Sequence, residues 1–313
     1  TAAIVHANAD LLLAARPEPA QVAVIFNPLV PLLGGEQAYG DRRNVHRAVA
    51  GYHRMFFERN VAVEFPSARE ITAEGLRRFK LVILPTPLLL TEQMAAALEQ
   101  YVRDGGRLLT EARPGWQDER GHAQPVLPGF GWHRMLGVRE TELRPEKQPR
   151  IHWGNRTFTG AVFAERFAPV EGMGEPRVLA RYDDGSAAAV ERAHGRGAAI
   201  VLGTFAGEAN QLEPQPMHPL ADALIEWAGV TRPAISGSSF VELRRLVAGE
   251  GELLLLFNHG KGEATVALRQ PLARAARSVR ELITGATLAT PGLTFTYEAV
   301  LPGESVRVYR VDY

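Results

Sequence analysis

The segment Lys80–Ala112 constrains the fold of this chain more than any other part of its sequence. It begins with an apolar run, Lys80–Thr86, which is too short for a helix and is bounded by prolines. A helix is predicted next, because apolar residues recur at helical spacing after Thr91, a favourable N-cap residue. Gly105–Gly106 ends that helix, and Arg107–Ala112 returns as a second buried strand. This strand–helix–strand unit is typical of a parallel α/β sheet.

The turn after the first of these strands is a position where enzymes built on such units often place a nucleophile. Here the turn reads Pro85-Thr86-Pro87, and the 313 residues of the chain include no cysteine. The hydroxyl of Thr86 lies between two prolines that restrict the backbone. We therefore interpret the turn as structural, and we expect no cysteine nucleophile, disulfide or thiolate metal site.

Further strands and helices are predicted ahead of this unit. A strand is expected at Gln21–Asn27, a helix at Val45–Phe57, a second strand at Val61–Phe65 and a short helix at Ala73–Phe79. The resulting alternation predicts a doubly wound, mostly parallel sheet with right-handed crossovers. In such sheets, ligands bind outside the carboxyl ends of the strands.

After Pro233 the pattern changes to short strands separated by turns, which predicts a small antiparallel β-sandwich. The predicted strands are Phe240–Val247, Glu252–Asn258, Ala264–Leu268, Val279–Ile283, Leu293–Tyr297 and Ser305–Val311. The expected organisation is therefore a connector at residues 1–20, an α/β domain at 21–232 and an antiparallel β domain at 233–313.

The composition excludes several classes of partner. Thirty-five basic and thirty-five acidic residues cancel, so no basic field exists to hold nucleic acid or an anionic membrane surface. No apolar run approaches the roughly 20 residues of a membrane-spanning helix, and Ala2–Ala15 lacks the basic flank of a signal peptide. His46 and His53 lie seven residues apart on one predicted helix, and no HExxH motif occurs. We expect no metal, no other cofactor, and a cytoplasmic location.

A long loop, Arg113–Gly137, leaves the carboxyl end of the second strand of the opening unit. Loops of that length are usually functional or part of an interface. Its candidate residues are Trp116, Asp118, Glu119 and His122. These side chains could stack on and hydrogen-bond a sugar, or form an acid/base site. The interpretation we favour is an interface loop with solvated charges and one buried tryptophan.

A second loop follows the first strand, and it could approach the Trp116 loop over the edge of the sheet. Its candidate residues are Glu36, Tyr39, Asp41 and Arg42. The charged pair Asp41 and Arg42 could contact the carboxylates of the first loop or a neighbouring subunit, although an ordinary surface salt bridge is favoured. We treat the residues of both loops as candidates for substrate or interface contacts, and we assign no catalytic residue.

The order of the predicted elements resembles a known family, the glycoside hydrolase family 42 β-galactosidases. The segments that resemble its middle domain are Val22–Phe26, Lys80–Pro85, Leu88–Gly106, Leu108–Glu111, Pro128-Gly129, Leu136-Gly137-Val138 and Val178–Thr204. The tail segments Leu253–Leu268 and Glu281–Gly285 are similar to the small C-terminal β domain of the family. Ile4–Pro19 resembles the connector that leaves its catalytic barrel.

The resemblance implies that the α/β domain has a class I glutamine amidotransferase-like, or flavodoxin-like, fold and mediates trimer formation. Members of the family carry two catalytic glutamates in an N-terminal (β/α)₈ barrel, as retaining glycosidases require two carboxylates. This sequence leaves no room for such a barrel ahead of Gln21, and neither glutamate motif has a counterpart. The chain therefore resembles the C-terminal part of such an enzyme, or a stand-alone relative of it.

The function we predict is the non-catalytic oligomerisation and accessory region of a β-galactosidase-like glycoside hydrolase. Its expected partners are further copies of itself in a trimer, a (β/α)₈ catalytic domain of the same gene, and a galactoside-type carbohydrate. One alternative is a stand-alone carbohydrate-binding or hydrolytic protein that uses the Trp116–His122 segment. Another is a degenerate amidotransferase-like scaffold with a purely structural role.

Overall fold

The computed structural model describes residues 2–34, 44–212, 218–236, 238–249, 251–288 and 292–313. The helices in this part are α1 (Ala2–Ala7), α2 (Ala9–Ala14), α3 (Asn44–Phe57), α4 (Ala73–Leu76), α5 (Glu92–Arg103), α6 (Trp132–Leu136), α7 (Ala206–Leu212) and α8 (His218–Ala228), with a π-helical turn at Val30–Gly34. None of these helices is long and apolar enough to cross a membrane.

The strands are β1 (Arg16–Pro17), β2 (Val22–Val24), β3 (Val63–Glu64), β4 (Leu81–Leu84), β5 (Arg107–Thr110), β6 (Val138–Pro145), β7 (Arg150–Trp153), β8 (Arg156–Thr159), β9 (Phe163–Pro169), β10 (Arg177–Tyr182), β11 (Ala187–His194), β12 (Gly197–Leu202), β13 (Ala234–Ser236), β14 (Val241–Ala248), β15 (Gly251–Asn258), β16 (Ala264–Pro271), β17 (Ser278–Glu281), β18 (Thr287–Leu288), β19 (Thr294–Leu301) and β20 (Ser305–Asp312). The described residues divide into two compact units. An α/β unit comprises residues 20–56 and 62–230, and a β unit comprises residues up to 19, 57–61 and 231 onward.

The α/β unit is built on a nine-stranded sheet with the order β3-β2-β4-β5-β12-β11-β10-β7-β8. The first five of these strands are parallel to one another, and in chain order they are arranged 2-1-3-4-5. The remaining four strands pair antiparallel. A separate antiparallel ribbon is formed by β6 and β9.

The sheet is thus mixed, whereas the sequence predicted a mostly parallel one. The antiparallel half arises because short turns join consecutive strands: residues 154–155 join β7 to β8, and residues 195–196 join β11 to β12. Connections this short can link only antiparallel neighbours, since a parallel pair needs a crossover of a dozen or more residues. Glycines with positive φ, Gly154 (60°) and Gly195 (62°), make both turns possible.

The segment Lys80–Ala112 forms β4, α5 and β5 as predicted. Thr91 caps α5, with its hydroxyl accepting a hydrogen bond from the Met94 backbone N–H at 3.0 Å. The buried face of α5 carries Leu98 and Val102, which join an apolar core with the side chains of β4 and β5. Gly105 ends the helical segment with a φ of 114°. Local signals in the sequence therefore determine the unit that positions the carboxyl ends of β4 and β5.

The β unit contains a six-stranded sheet, β1-β14-β15-β20-β17-β18, and a three-stranded sheet, β13-β16-β19, whose strand pairs are all antiparallel. Leu254 and Leu256 from the larger sheet share one apolar core with Val266 and Phe295 from the smaller sheet. Two sheets that share such a core form a β-sandwich. The sandwich includes a strand that the sequence did not predict, because β1 pairs with β14.

Candidate functional site

A fully buried carboxylate lies at the carboxyl edge of the parallel strands. Glu111 directly follows β5, and it accepts hydrogen bonds from the hydroxyl of Tyr52 (2.9 Å) and from the backbone N–H groups of Thr86 (2.9 Å) and Gly207 (3.0 Å). Tyr52 belongs to α3, Thr86 follows β4, and Gly207 belongs to α7 after β12. We call these four residues the Glu111 cluster. One carboxylate therefore joins segments that are far apart in the sequence.

Burial raises the pKa of Glu111 to about 7, and the hydrogen bonds from Gly207, Thr86 and Tyr52 oppose that rise only in part. Burial, reinforced by the charge of Glu111, also raises the pKa of Tyr52 well above its ordinary value. The tyrosine hydroxyl consequently stays protonated and donates its hydrogen bond throughout the range in which Glu111 ionises.

This raised pKa gives Glu111 a measurable effect on stability. The folded-state pKa of about 7 lies above the ordinary value of 4.5, so the stabilisation is fully present below about pH 4.5 and is lost as the pH rises through 7. Between pH 4.5 and pH 8, the free energy of unfolding of the wild type should fall by about 3 kcal/mol relative to that of Glu111→Gln. Urea denaturation of both proteins at several pH values measures this difference, with equal denaturant slopes as the control. A difference that does not change with pH would contradict the prediction.

Thr86 occupies the turn after β4 in a backbone conformation that is rare for its residue type. Its φ is 42°, in the left-handed region that β-branched residues seldom adopt, and its side chain is buried. The Thr86 hydroxyl has no hydrogen-bond partner within the described part of the chain. The backbone N–H of Thr86 donates a hydrogen bond to Glu111. No general base contacts the hydroxyl there, so the turn lacks the arrangement that activates a nucleophile.

A second group of polar side chains lies where the long loop leaves β5. The guanidinium of Arg113 sits 4.6 Å from the ring centre of Trp116, and its Nε donates to a Glu140 carboxylate oxygen at 3.0 Å. The Arg113 backbone N–H donates to Glu165 at 3.0 Å. We call these four residues the Arg113 cluster. It links the beginning of the loop to the ribbon formed by β6 and β9.

The Arg113 cluster contains two carboxyl groups, one of which is completely buried. Glu165 is completely buried, and burial together with the neighbouring charge of Glu140 raises its pKa well above the ordinary value. Arg113 forms an ion pair with the neighbouring Glu140, its Nε lying 3.0 Å from a Glu140 carboxylate oxygen. Beside the cluster is a cavity of about 320 Å³, lined by Arg113, Trp116, Gln124, Pro125, Val126, Leu127, Arg139 and Glu140.

The candidate residues named from the sequence do not all meet. Trp116 joins the Arg113 cluster, whereas Asp118 organises the tip of the loop by accepting hydrogen bonds from the backbone N–H groups of Arg120 and His122, both at 2.9 Å. The hydrogen bond from His122 is the main cause of the lowered pKa of Asp118. Glu119 and His122 are exposed. The residues Glu36, Tyr39, Asp41 and Arg42 lie outside the described residues.

Sequence reasoning missed the carboxylates Glu111, Glu140 and Glu165, of which Glu111 and Glu165 are buried. One signal was available for Glu111, which directly follows an apolar strand, because a charged residue in such a place is rarely buried without partners. For Glu140 and Glu165 we find no comparable signal. In the residues that the structure describes, no group of three or more histidine, aspartate or glutamate side chains is placed to hold a metal ion.

Comparison with known proteins identifies the family. Residues 20–231 match the family described as the β-galactosidase trimerisation domain. The chain belongs to this family. The match covers all of the α/β unit, so this unit is a β-galactosidase trimerisation domain, which confirms the resemblance noted in the sequence and the oligomerisation role predicted from it.

Curated relatives of this trimerisation domain are β-galactosidases. The LacZ β-galactosidase of Heyndrickxia coagulans is 27% identical over 214 residues, which cover 66% of this chain and 30% of the relative. A β-galactosidase of Arthrobacter sp is 28% identical over 224 residues, which cover 69% of this chain and 30% of the relative. The chain thus matches about a third of the length of these relatives.

Solved structures share the fold over almost the whole chain. A β-galactosidase from Bacillus circulans sp. alkalophilus superposes with a TM-score of 0.76 and 20% identity, covering 99% of this chain and 44% of that chain. An α-L-fucosidase from Paenibacillus thiaminolyticus superposes with a TM-score of 0.68 and 14% identity, covering 99% of this chain and 51% of that chain. At these identities the likeness shows the fold alone, and the trimerisation domain shares that fold with a protein of different named activity.

Proposed function

We propose that this chain is the assembly region of a β-galactosidase-like glycoside hydrolase, and that its α/β unit holds three copies of the protein together. The observation that carries this proposal is the match of residues 20–231 to the trimerisation family. The catalytic centre would then lie in a (β/α)₈ barrel of the same protein, acting on a galactoside-type carbohydrate. The names of the curated relatives, and the 30% of their length that this chain spans, support that arrangement.

We also propose that residues 21–232 form a doubly wound, amidotransferase-like domain, with residues 1–20 as a connector and 233–313 as a separate β domain. The 2-1-3-4-5 order of the parallel strands supports this, because it is the order of flavodoxin-like folds. The pairing of β1 with β14 suggests that the connector is attached to the β domain.

The surface we propose for subunit contact is the loop at residues 113–137, together with the candidates Glu36, Tyr39, Asp41 and Arg42. The loop is held in one conformation by hydrogen bonds to the segment after β4, including Gln117 N–H to Leu88 C=O at 2.8 Å and Gly115 N–H to Pro87 C=O at 2.7 Å. It exposes Glu119, His122 and the apolar Val126, which is 41% accessible. A preformed loop loses little conformational entropy when a partner binds.

A second candidate function for the same loop is carbohydrate binding. The observation that favours it is the 320 Å³ cavity beside Trp116 and Arg113, since aromatic rings and guanidinium groups provide stacking and hydrogen-bond donors for a sugar.

Light scattering tests the assembly proposal. At micromolar concentration the chain should have a mass three times its own 34.2 kDa. The double variant Glu119→Arg/His122→Glu, at exposed positions of the loop, should shift the protein towards monomer because it alters the charge of the proposed contact. Glu263→Arg, at an exposed position of the β unit, is the matched control and should remain trimeric. A wild type that stays monomeric at all concentrations would overturn the proposal that the α/β unit of this chain holds three copies together.

A further inference from the structure

The Glu111 cluster has the hydrogen-bond donors of a binding site for a small carboxyl group. Three hydrogen-bond donors point at one carboxylate: the Tyr52 hydroxyl and the backbone N–H groups of Thr86 and Gly207. They come from three separate segments of the α/β unit, and two of them are backbone groups whose positions are fixed by the fold. Donors arranged in this way match the acceptor pattern of a carboxylate, which carries two oxygens and no proton.

The location also fits a ligand site. Thr86, Glu111 and Gly207 follow the adjacent parallel strands β4, β5 and β12, at the edge of the sheet where α/β folds bind their ligands. The left-handed backbone of Thr86, with a φ of 42°, turns its N–H towards the carboxylate instead of continuing the strand. Strained backbone of this kind is concentrated at binding and catalytic sites.

The occupant of this site is part of the chain itself. The side chain of Glu111 has no exposed surface, and both of its carboxylate oxygens accept hydrogen bonds. We propose that the Glu111 cluster is a monocarboxylate-binding site whose native ligand is the side chain of Glu111. The position at which a fold of this kind binds outside ligands is thereby filled, and the α/β unit retains the donors of a ligand site without access for a ligand.

The proposal specifies which ligand fits when the native one is removed. Glu111→Ala removes the γ-methylene and the carboxylate, and the group removed corresponds to acetate. Acetate should therefore occupy the vacated space and accept the same three hydrogen bonds. Butyrate, which has two additional methylenes, should be too large for the closed cavity. Acetamide has the shape of acetate, but its amide N–H groups face backbone donors, so it should bind more weakly.

Thermal unfolding of the intact chain with added salt provides the test. At pH 5, where the raised pKa of the cluster favours a bound carboxyl group, the melting temperature of Glu111→Ala should rise with acetate concentration and reach saturation, while sodium chloride at the same ionic strength has no comparable effect. The wild type and Glu111→Gln should not respond, because a side chain fills the site in both. In the Glu111→Ala background, Tyr52→Phe should weaken the apparent acetate affinity roughly fivefold, since one hydrogen bond is lost.

Each outcome bears on the proposal. If Glu111→Ala is folded and responds to acetate no more than to chloride, the proposal is wrong. If Glu111→Ala does not fold, acetate in the refolding buffer should restore the native circular dichroism spectrum, and failure to do so also overturns the proposal. Equal rescue by butyrate or acetamide would contradict the specific site. This proposal does not depend on trimer formation. The effect of acetate on the melting temperature can be measured for each variant whether light scattering shows it to be a monomer or a trimer.

Discussion

Replacing Trp132 by alanine should lower the free energy of unfolding by about 3–5 kcal/mol. Trp132 begins α6 and has no exposed surface, and its indole Nε1–H donates to the backbone oxygen of Ala95 on α5 at 3.3 Å. The side chain belongs to the apolar core beneath the parallel strands. Its removal would leave a cavity in a close-packed interior and an indole hydrogen bond unmade, and a helix of five residues can do little to refill the space.

Trp153→Ala is the matched control for this prediction. Trp153 lies on β7 and is partly exposed, so its truncation should cost less than half as much. Urea denaturation of the three proteins, compared at equal denaturant slopes, gives both losses. A loss below about 1.5 kcal/mol for Trp132→Ala would mean that α6 is not anchored as described.

Replacing Arg113 by alanine should cost about 3 kcal/mol at pH 8. The guanidinium is the positive charge of the Arg113 cluster, and its side chain is only 18% exposed beside a Glu140 side chain that is 15% exposed. Without it, the Glu140 carboxylate would lose its ion-pair partner in a mostly buried place. The stacking on Trp116 would be lost as well.

The dependence of this loss on pH distinguishes charge from packing. Burial raises the pKa of Glu165 well above its ordinary value, so the cluster carries less negative charge near pH 4 than at pH 8, and the loss for Arg113→Ala should be clearly smaller near pH 4. Arg139→Ala, at an exposed position beside the same cavity, should change stability by less than about 0.5 kcal/mol. Denaturation of both variants at the two pH values is the measurement, and an equal loss at both pH values for Arg113→Ala would attribute its role to packing alone.

The parts of the fold that local sequence signals determine could be predicted, and the parts that depend on pairing between distant segments could not. The strand–helix–strand unit at Lys80–Ala112 could be predicted because its signals are local. Thr91 caps α5, and Gly105 ends the helical segment with a positive φ. The presence of both parallel and antiparallel strands in the sheet could not be predicted from the sequence in the same way. The hairpin of β10 and β11 has local turn signals, but its attachment to the parallel strands depends on the pairing of β12 with β5, which are separated by more than 80 residues.

The candidate site shows the same division. The length and composition of the loop at residues 113–137 made it a candidate from the sequence alone. The Glu111 cluster was missed because the donors to its carboxylate come from positions 59, 25 and 96 residues away. No pattern around Glu111 could have shown which of these distant groups it meets. The partners of Asp118, by contrast, are the adjacent backbone N–H groups of the turn at the tip of the loop.

The pairing of β1 with β14 has a consequence for how this protein can be divided. The α/β unit is inserted into the β unit, because residues on both sides of it contribute strands to one sheet. A fragment that begins at residue 233 would leave the unpaired backbone groups of β14 at an open edge, where another chain can add a strand. Such a fragment would also lose the ion pair between Arg245 of β14 and Glu18, whose charged atoms lie 2.8 Å apart. The segments on the two sides of the α/β unit thus form a single folding unit, and a cut near residue 233 would divide that unit.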